Sequence, residues 1–351
     1  MPVRTIVITG VAGPVGQRLV WHLGHETLGR IIGIDDRASR PGPGHLDVGR
    51  ADLATADLAE AFSGADTVVH LAWSPGRPCR GGQPSRVNVD TTRRVLAAAG
   101  AAGVDTVVHL SSAAVYGAWP DNAVPLTEEA ALRPNVGVLD AVHHAEAERL
   151  VADWAEAHRR AAVSVLRPAA MLGPGADSWL ARALAGRSGL RSDRTDPARQ
   201  FVHVDDVASA AAVAVTERLD GVFNVAADGW ITSDVLRSLS SARPSLPVPS
   251  RLVIPLARWA WRVRLSDVPP DLLPLTEYPW VVANDRLRAT GWAPQHSNED
   301  AVVAGRPGSR WREMSPSRRQ QAALIVSAAV IASMGVATAA VVARRVGRVG
   351  R

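Results

Sequence analysis

Nine residues near the start of the chain have the types and spacing to hold a phosphate. Thr9-Gly10-Val11-Ala12-Gly13-Pro14-Val15-Gly16-Gln17 leaves a short apolar run and enters a helical pattern. Glycines in such a turn let the backbone approach a pyrophosphate. The helix that follows supplies unpaired N–H groups and the positive end of its dipole. Gly10, Gly13, Pro14, Val15 and Gly16 are therefore read as cofactor-binding. The next apolar run ends at Asp35. A carboxylate there accepts hydrogen bonds from adenosine ribose hydroxyls and repels a 2′-phosphate. Together these residues predict a bound dinucleotide, NAD rather than NADP. Arg37 lies close enough to favour a phosphate, and Asp36 reads as a solvated loop residue. No Cys/His cluster has metal-ligand spacing, so no metal site is expected.

The elements that must position this turn are visible as alternation. Short, nearly continuous apolar runs fall at 5–9, 31–34, 67–71, 106–110, 163–166 and 222–225. Helical patterns lie between them, at about 14–24, 54–63, 85–102, 141–158 and 206–217. Strands covered on both faces and separated by helices predict an α/β fold with a doubly wound, Rossmann-like parallel sheet. After Gly173 the pattern loosens, and 243–280 is rich in Pro and Trp. A smaller C-terminal substrate lobe is expected there. The predicted organisation is a dinucleotide-binding domain over 1–170 and a substrate lobe over 171–304. A basic linker at 305–321, a transmembrane helix at 322–343 and a basic tail at 344–351 complete it.

Composition sets limits on the chemistry. The chain has 351 residues, 47% of them hydrophobic, with a single cysteine, Cys79, so a disulfide framework is excluded. The formal charge is +5, yet from Ala301 onward nine arginines face one acid, and the body before it is slightly acidic. The basic character belongs to the tail, which argues against a nucleic-acid partner for the body. There is no lysine, and the only tyrosines are Tyr116 and Tyr278. Residues 322–343 are 22 uncharged residues bracketed by Arg318 and Arg319 on one side and Arg344 and Arg345 on the other. At about 1.5 Å per residue such a helix spans a hydrocarbon core of about 30 Å. A buried Ala-rich helix is the competing reading. The start of the chain lacks the pattern of a signal peptide. The expectation is a single C-terminal membrane span with the main domain cytoplasmic.

The ordered set of motifs resembles the extended short-chain dehydrogenase/reductase family, of the NAD-dependent epimerase/dehydratase type. The Gly10-x-x-Gly13-x-x-Gly16 spacing fits it. So do His70-Leu71-Ala72-Trp73, Ser111-Ser112-Ala113-Ala114-Val115-Tyr116-Gly117, Arg167-Pro168 with Gly173-Pro174, and Arg199-Gln200-Phe201-Val202-His203. The resemblance covers about 3–304. It implies that Asp52 and Leu53 read the adenine ring and that Leu71, Ala72, Trp73 and Pro168 line the cofactor. It places Arg199 where relatives contact a nucleotide diphosphate substrate. Asn88-Val89-Asp90-Thr91 opens the helix that relatives use for dimerisation, so a homodimer is expected.

One departure bears on catalysis. Relatives carry Tyr-x-x-x-Lys on the helix after the Ser-Ser strand: the tyrosine moves a proton, and the lysine holds ribose and lowers the tyrosine pKa. Alignment on His144-Ala145-Glu146-Ala147-Glu148 puts Asp140 at the tyrosine position and His144 at the lysine position. Ser112 falls on the catalytic serine position. Asp140 and His144 share a helix face and can pair, and histidine can serve as an acid/base. An ordinary aspartate, with a pKa of about 4, is a poor substitute for the tyrosine. The leading expectation is a membrane-anchored NAD-binding protein with degenerate catalysis and an unidentified small-molecule ligand. The alternatives are an active oxidoreductase or sugar epimerase using Asp140 or His144, and a cofactor-free membrane scaffold. The intact glycine turn disfavours the last.

Overall fold

The computed structural model describes residues 4–26, 29–37, 46–74, 86–176, 179–182, 184, 190–192, 197–239, 246–248, 250–263 and 270–305. The chain divides into two compact units, Met1–Gly305 and Arg306–Arg351. The second unit, with the predicted span at 322–343 and the tail at 344–351, lies outside the described residues, as does Cys79. Among the described residues no helix is long and apolar enough to cross a membrane.

β1 (Thr5–Thr9) passes through the glycine turn into α1 (Pro14–Glu26). β2 (Arg30–Asp35), β3 (Leu46–Arg50), α2 (Leu58–Ala61), β4 (Thr67–His70), α3 (Val87–Ala102), β5 (Thr106–Leu110), α4 (Leu139–Ala157) and β6 (Ala162–Pro168) follow. The later part runs β7 (Ala170–Leu172), α5 (Trp179–Arg182), β8 (Leu190–Ser192), β9 (Phe201–His203), α6 (Val204–Thr216) and β10 (Gly221–Val225). It ends with α7 (Ser233–Leu239), β11 (Leu246–Val248), α8 (Ser250–Arg262), α9 (Leu273–Glu277), α10 (Asp285–Arg288) and α11 (Asn298–Ala304).

Seven strands form one sheet in the order β10-β6-β5-β4-β1-β2-β3, and every pairing in it is parallel. Successive side chains of a strand face opposite ways. Ile6 and Ile8 of β1 join one core with Leu19 of α1 and Ala208 and Ala211 of α6. Val7, Val68, Val107 and Val163 join the other, with Leu58 of α2, Val95 of α3 and Val151 and Trp154 of α4. Both faces are thus covered, which is why these strands read as unbroken apolar runs. Strand order reverses between β1 and β4. In such sheets the crevice at the carboxyl ends beside that reversal holds the ligand. Two further pairs, β8 with β11 and β7 with β9, lie outside the main sheet, while β10 returns to its edge beside β6.

Candidate functional site

The glycine turn occupies the crevice at the end of β1. Gly10 has φ +77°, and a Cβ there would lie 2.6 Å from the Ala72 nitrogen. A Cβ on Gly16 would lie 2.5 Å from the Gly10 carbonyl oxygen. Neither position admits a side chain, because the turn folds tightly between the helix start and the segment after β4. Gly13 N–H donates to the Gly10 carbonyl (3.0 Å), and Gln17 N–H to that of Gly13 (3.0 Å), which winds the first turn of α1. Arg18 donates to the Pro14 carbonyl (2.9 Å) and the Pro174 carbonyl (3.0 Å), tying the loop after β7 to the same helix start.

Asp35 is buried at the end of β2. Its Oδ2 accepts the Ala12 N–H at 3.0 Å, and its Oδ1 accepts the Arg37 N–H at 3.0 Å. The Arg37 side chain also donates to Oδ1, at 3.3 Å. Burial opposes the charge on Asp35. The N–H of Arg37 and the other donors outweigh it, so the pKa falls below the ordinary carboxylate value. The site therefore presents a fixed anion tied to the glycine turn. Asp52, one strand further, accepts the Ala54 N–H at 2.9 Å, and Leu53 beside it is buried. The Leu71 N–H donates to the Thr9 carbonyl (3.0 Å), which holds 71–73 against the turn. Pro168 ends β6, in register with Val225.

Two of the three predicted catalytic positions, Asp140 and His144, form a cluster with Trp73, just past the end of β4. The Trp73 indole N–H donates to Asp140 Oδ1 at 2.8 Å. Its ring lies flat on the His144 imidazole, with centroids 3.6 Å apart and planes 11° apart. His144 Nε2 is 3.9 Å from Asp140 Oδ2. His144 is buried, and its Nδ1 has no hydrogen-bond partner among the described residues. Burial pushes the His144 pKa below the usual imidazole value, while Asp140 and Glu148 pull the other way. A buried imidazole, whose charged form is disfavoured, thus occupies the position where the resemblance places a cationic lysine. Ser112 ends the β5 segment and caps the 3-10 turn Ala113–Tyr116, its hydroxyl accepting the Ala114 N–H at 3.2 Å. Among the described residues no hydrogen bond joins Ser112 to Asp140 or His144.

Sequence reasoning missed the polar network beneath this cluster. Glu148, two helical turns beyond Asp140 on the same face of α4, pairs with Arg167 of β6 at 2.6 Å. Ser111 donates to Glu148. Arg167 donates to the Tyr116 hydroxyl (2.7 Å), which donates to Asn224 of β10 (2.9 Å). Burial raises the Tyr116 pKa, with Arg167 opposing. This tyrosine is therefore a strut between strands. Arg199, expected to meet a substrate diphosphate, donates to the Leu184 carbonyl (2.8 Å) and the Thr276 carbonyl (3.3 Å), joining segments of the lobe.

A parallel sheet in this order, with a glycine turn after β1 and an acid closing β2, defines the dinucleotide-fold class of α/β proteins. The chain belongs to the NAD-dependent epimerase/dehydratase family, whose pattern matches residues 6–226. An uncharacterized protein of Mycobacterium tuberculosis is 28% identical over 312 residues, 85% of this chain and 82% of the relative. A Streptomyces 3-diazoavenalumate denitrifying reductase is 29% identical over 317 residues, 83% of this chain and 96% of the relative. The solved structure of MoeE5 with UDP-glucose and NAD superposes with a TM-score of 0.62 at 25% identity, covering 86% of this chain and 97% of that one.

Proposed function

We propose that the chain binds NAD, that its proton-transfer machinery is degenerate, and that residues 322–343 hold it at a membrane with the main domain on the cytoplasmic side. The observation that carries the reading is the Trp73–Asp140–His144 cluster. Asp140 is engaged by the indole, and His144 is buried and covered by it, with burial disfavouring its charged form. Neither group offers the paired acid and cation of the family's tyrosine and lysine. NAD binding is supported by the glycine turn, by the buried Asp35 anion and by the NAD held in MoeE5. The turn's backbone N–H groups would take the pyrophosphate, and Asp35 the adenosine ribose. The bound cofactor supplies a hydride-accepting ring. Among the described residues no arginine side chain hydrogen-bonds or ion-pairs with Asp140; its partners are the Trp73 indole and His144.

Calorimetric titration of the full chain with NAD and NADP tests the binding. Saturable NAD binding, tighter than NADP, is expected. No heat with either nucleotide would overturn it and favour the scaffold reading. A second reading, an active oxidoreductase or epimerase, draws on His144, whose Nε2 lies beside the Asp140 carboxylate and whose Nδ1 has no hydrogen-bond partner among the described residues. The Streptomyces relative's name as a reductase points the same way.

A further inference from the structure

We propose that the exposed face of α8 rests on an anionic lipid surface. The helix reads Ser-Arg-Leu-Val-Ile-Pro-Leu-Ala-Arg-Trp-Ala-Trp-Arg, with three arginines and no acid. Leu252, Leu256 and Trp259, with Val263 just past the helix end, are 49%, 36%, 54% and 46% exposed. Their spacing of four, three and four residues puts them on one stripe of a 3.6-residue helix. Ala257, on another face, is buried. A soluble surface rarely leaves such an apolar row in water. Arg258 and Arg262, four residues apart and both exposed, lie on one flank of this stripe.

An apolar row with tryptophan, bordered by arginine and free of acid, matches a helix lying in the headgroup region. There the apolar side chains enter the acyl boundary and the guanidinium groups meet lipid phosphates. A protein partner would need a matching acidic rim, whereas an anionic headgroup layer supplies that charge over the whole length of the helix. The length of chain beyond the described body favours the lipid as well. Residues 306–321 add five arginines against one acid, and the uncharged run 322–343 follows. The proposal extends the membrane reading above, and its test separates the two.

The test reconstitutes the full chain, with Cys79→Ser and Leu252→Cys carrying a polarity-sensitive fluorophore, into detergent-free vesicles. One set is phosphatidylcholine alone; the other contains about one third phosphatidylglycerol. Flotation reports attachment by any part of the chain, and the label reports α8. The expected result is blue-shifted emission on the anionic vesicles, quenched by brominated acyl chains. Arg258→Glu with Arg262→Glu should lower the docked population about tenfold. A label at Trp21→Cys, exposed on α1, should stay water-like. Water-like emission from position 252 on floating vesicles would overturn the α8 proposal and leave the anchor standing. A blue shift that brominated lipid leaves unquenched would mean that protein covers the stripe, and would also overturn it. A chain that floats with neither composition would overturn the face and the anchor together.

Discussion

Asp35 joins the glycine turn to the expected ribose position through one carboxylate. Its Oδ2 already holds the Ala12 N–H, so Asp35→Ala removes a brace of the turn and, on the proposed function, a charge-assisted contact to the ribose. NAD affinity should fall by about 1.5–3 kcal/mol, and the preference over NADP should narrow. Calorimetry on the variant checks this; an unchanged NAD-to-NADP ratio would count against the assignment. Three buried histidines give the fold a pH dependence. Burial lowers His70 to about 4, and lowers His109 and His144 as well. Thr92 donates its hydroxyl to the Asn88 carbonyl, so it accepts from His70 Nε2, and Thr9 Oγ1 lies 2.7 Å from His70 Nδ1. Below about pH 6.5 the unfolded histidines protonate while the folded ones resist. Stability is therefore complete above that pH and is lost as pH falls from 6.5 toward 4, by up to about 1.4 kcal/mol per pH unit per residue. Urea unfolding at pH 7, 6 and 5 measures the slope. His109 has no hydrogen-bond partner on either ring nitrogen among the described residues, so His109→Leu should flatten the slope without loss of stability at pH 7.

At the scale of elements, α4 and β6 are joined by a buried ion pair, Glu148 with Arg167, each side chain about 5–6% exposed. Removing one partner leaves a buried charge alone. Glu148→Gln or Arg167→Met should each destabilise the protein by about 3–5 kcal/mol, read as a lowered denaturation midpoint. An unchanged midpoint would mean that water reaches the pair. The same elements show what a sequence can reveal. The runs at 5–9, 67–71 and 106–110 match β1, β4 and β5 to within a residue because two-sided burial demands continuous apolar character. β3, Leu46–Arg50, escaped notice: it is a sheet edge, mostly exposed, and its polar residues mask it. The glycine turn and Asp35 were legible because one local stretch carries each. The Trp73–Asp140 bond joins residues 67 apart, and only the tertiary fold, in which α3 packs against both β4 and α4, brings them together. The Ser111–Glu148–Arg167–Tyr116–Asn224 chain was hidden for the same reason, although Glu148 at the i+8 position from Asp140 was a readable sign of a shared face.

For the whole molecule, the membrane reading predicts that deleting 318–351 moves the chain from the membrane fraction to the soluble fraction, since residues 1–305 form a compact unit of their own. Fractionation of cells carrying the full and shortened chains checks it; equal membrane recovery of both would contradict a span at 322–343. On the proposed function, a family fold with its dinucleotide crevice in place has lost its proton-transfer pair. In relatives the tyrosine and lysine act together, and general acid/base help alone is worth about 10²–10⁴-fold. The most direct measurement is turnover by the NAD-loaded full chain over a panel of nucleotide sugars and carbonyl compounds, beside Asp140→Ala and His144→Ala. The expected result is no turnover above background in all three, with saturable NAD binding in the same unmutated sample. Turnover by the unmutated chain at ordinary enzyme rates, about 1–10³ per second, abolished by either alanine change, would contradict it and establish a reassigned acid/base.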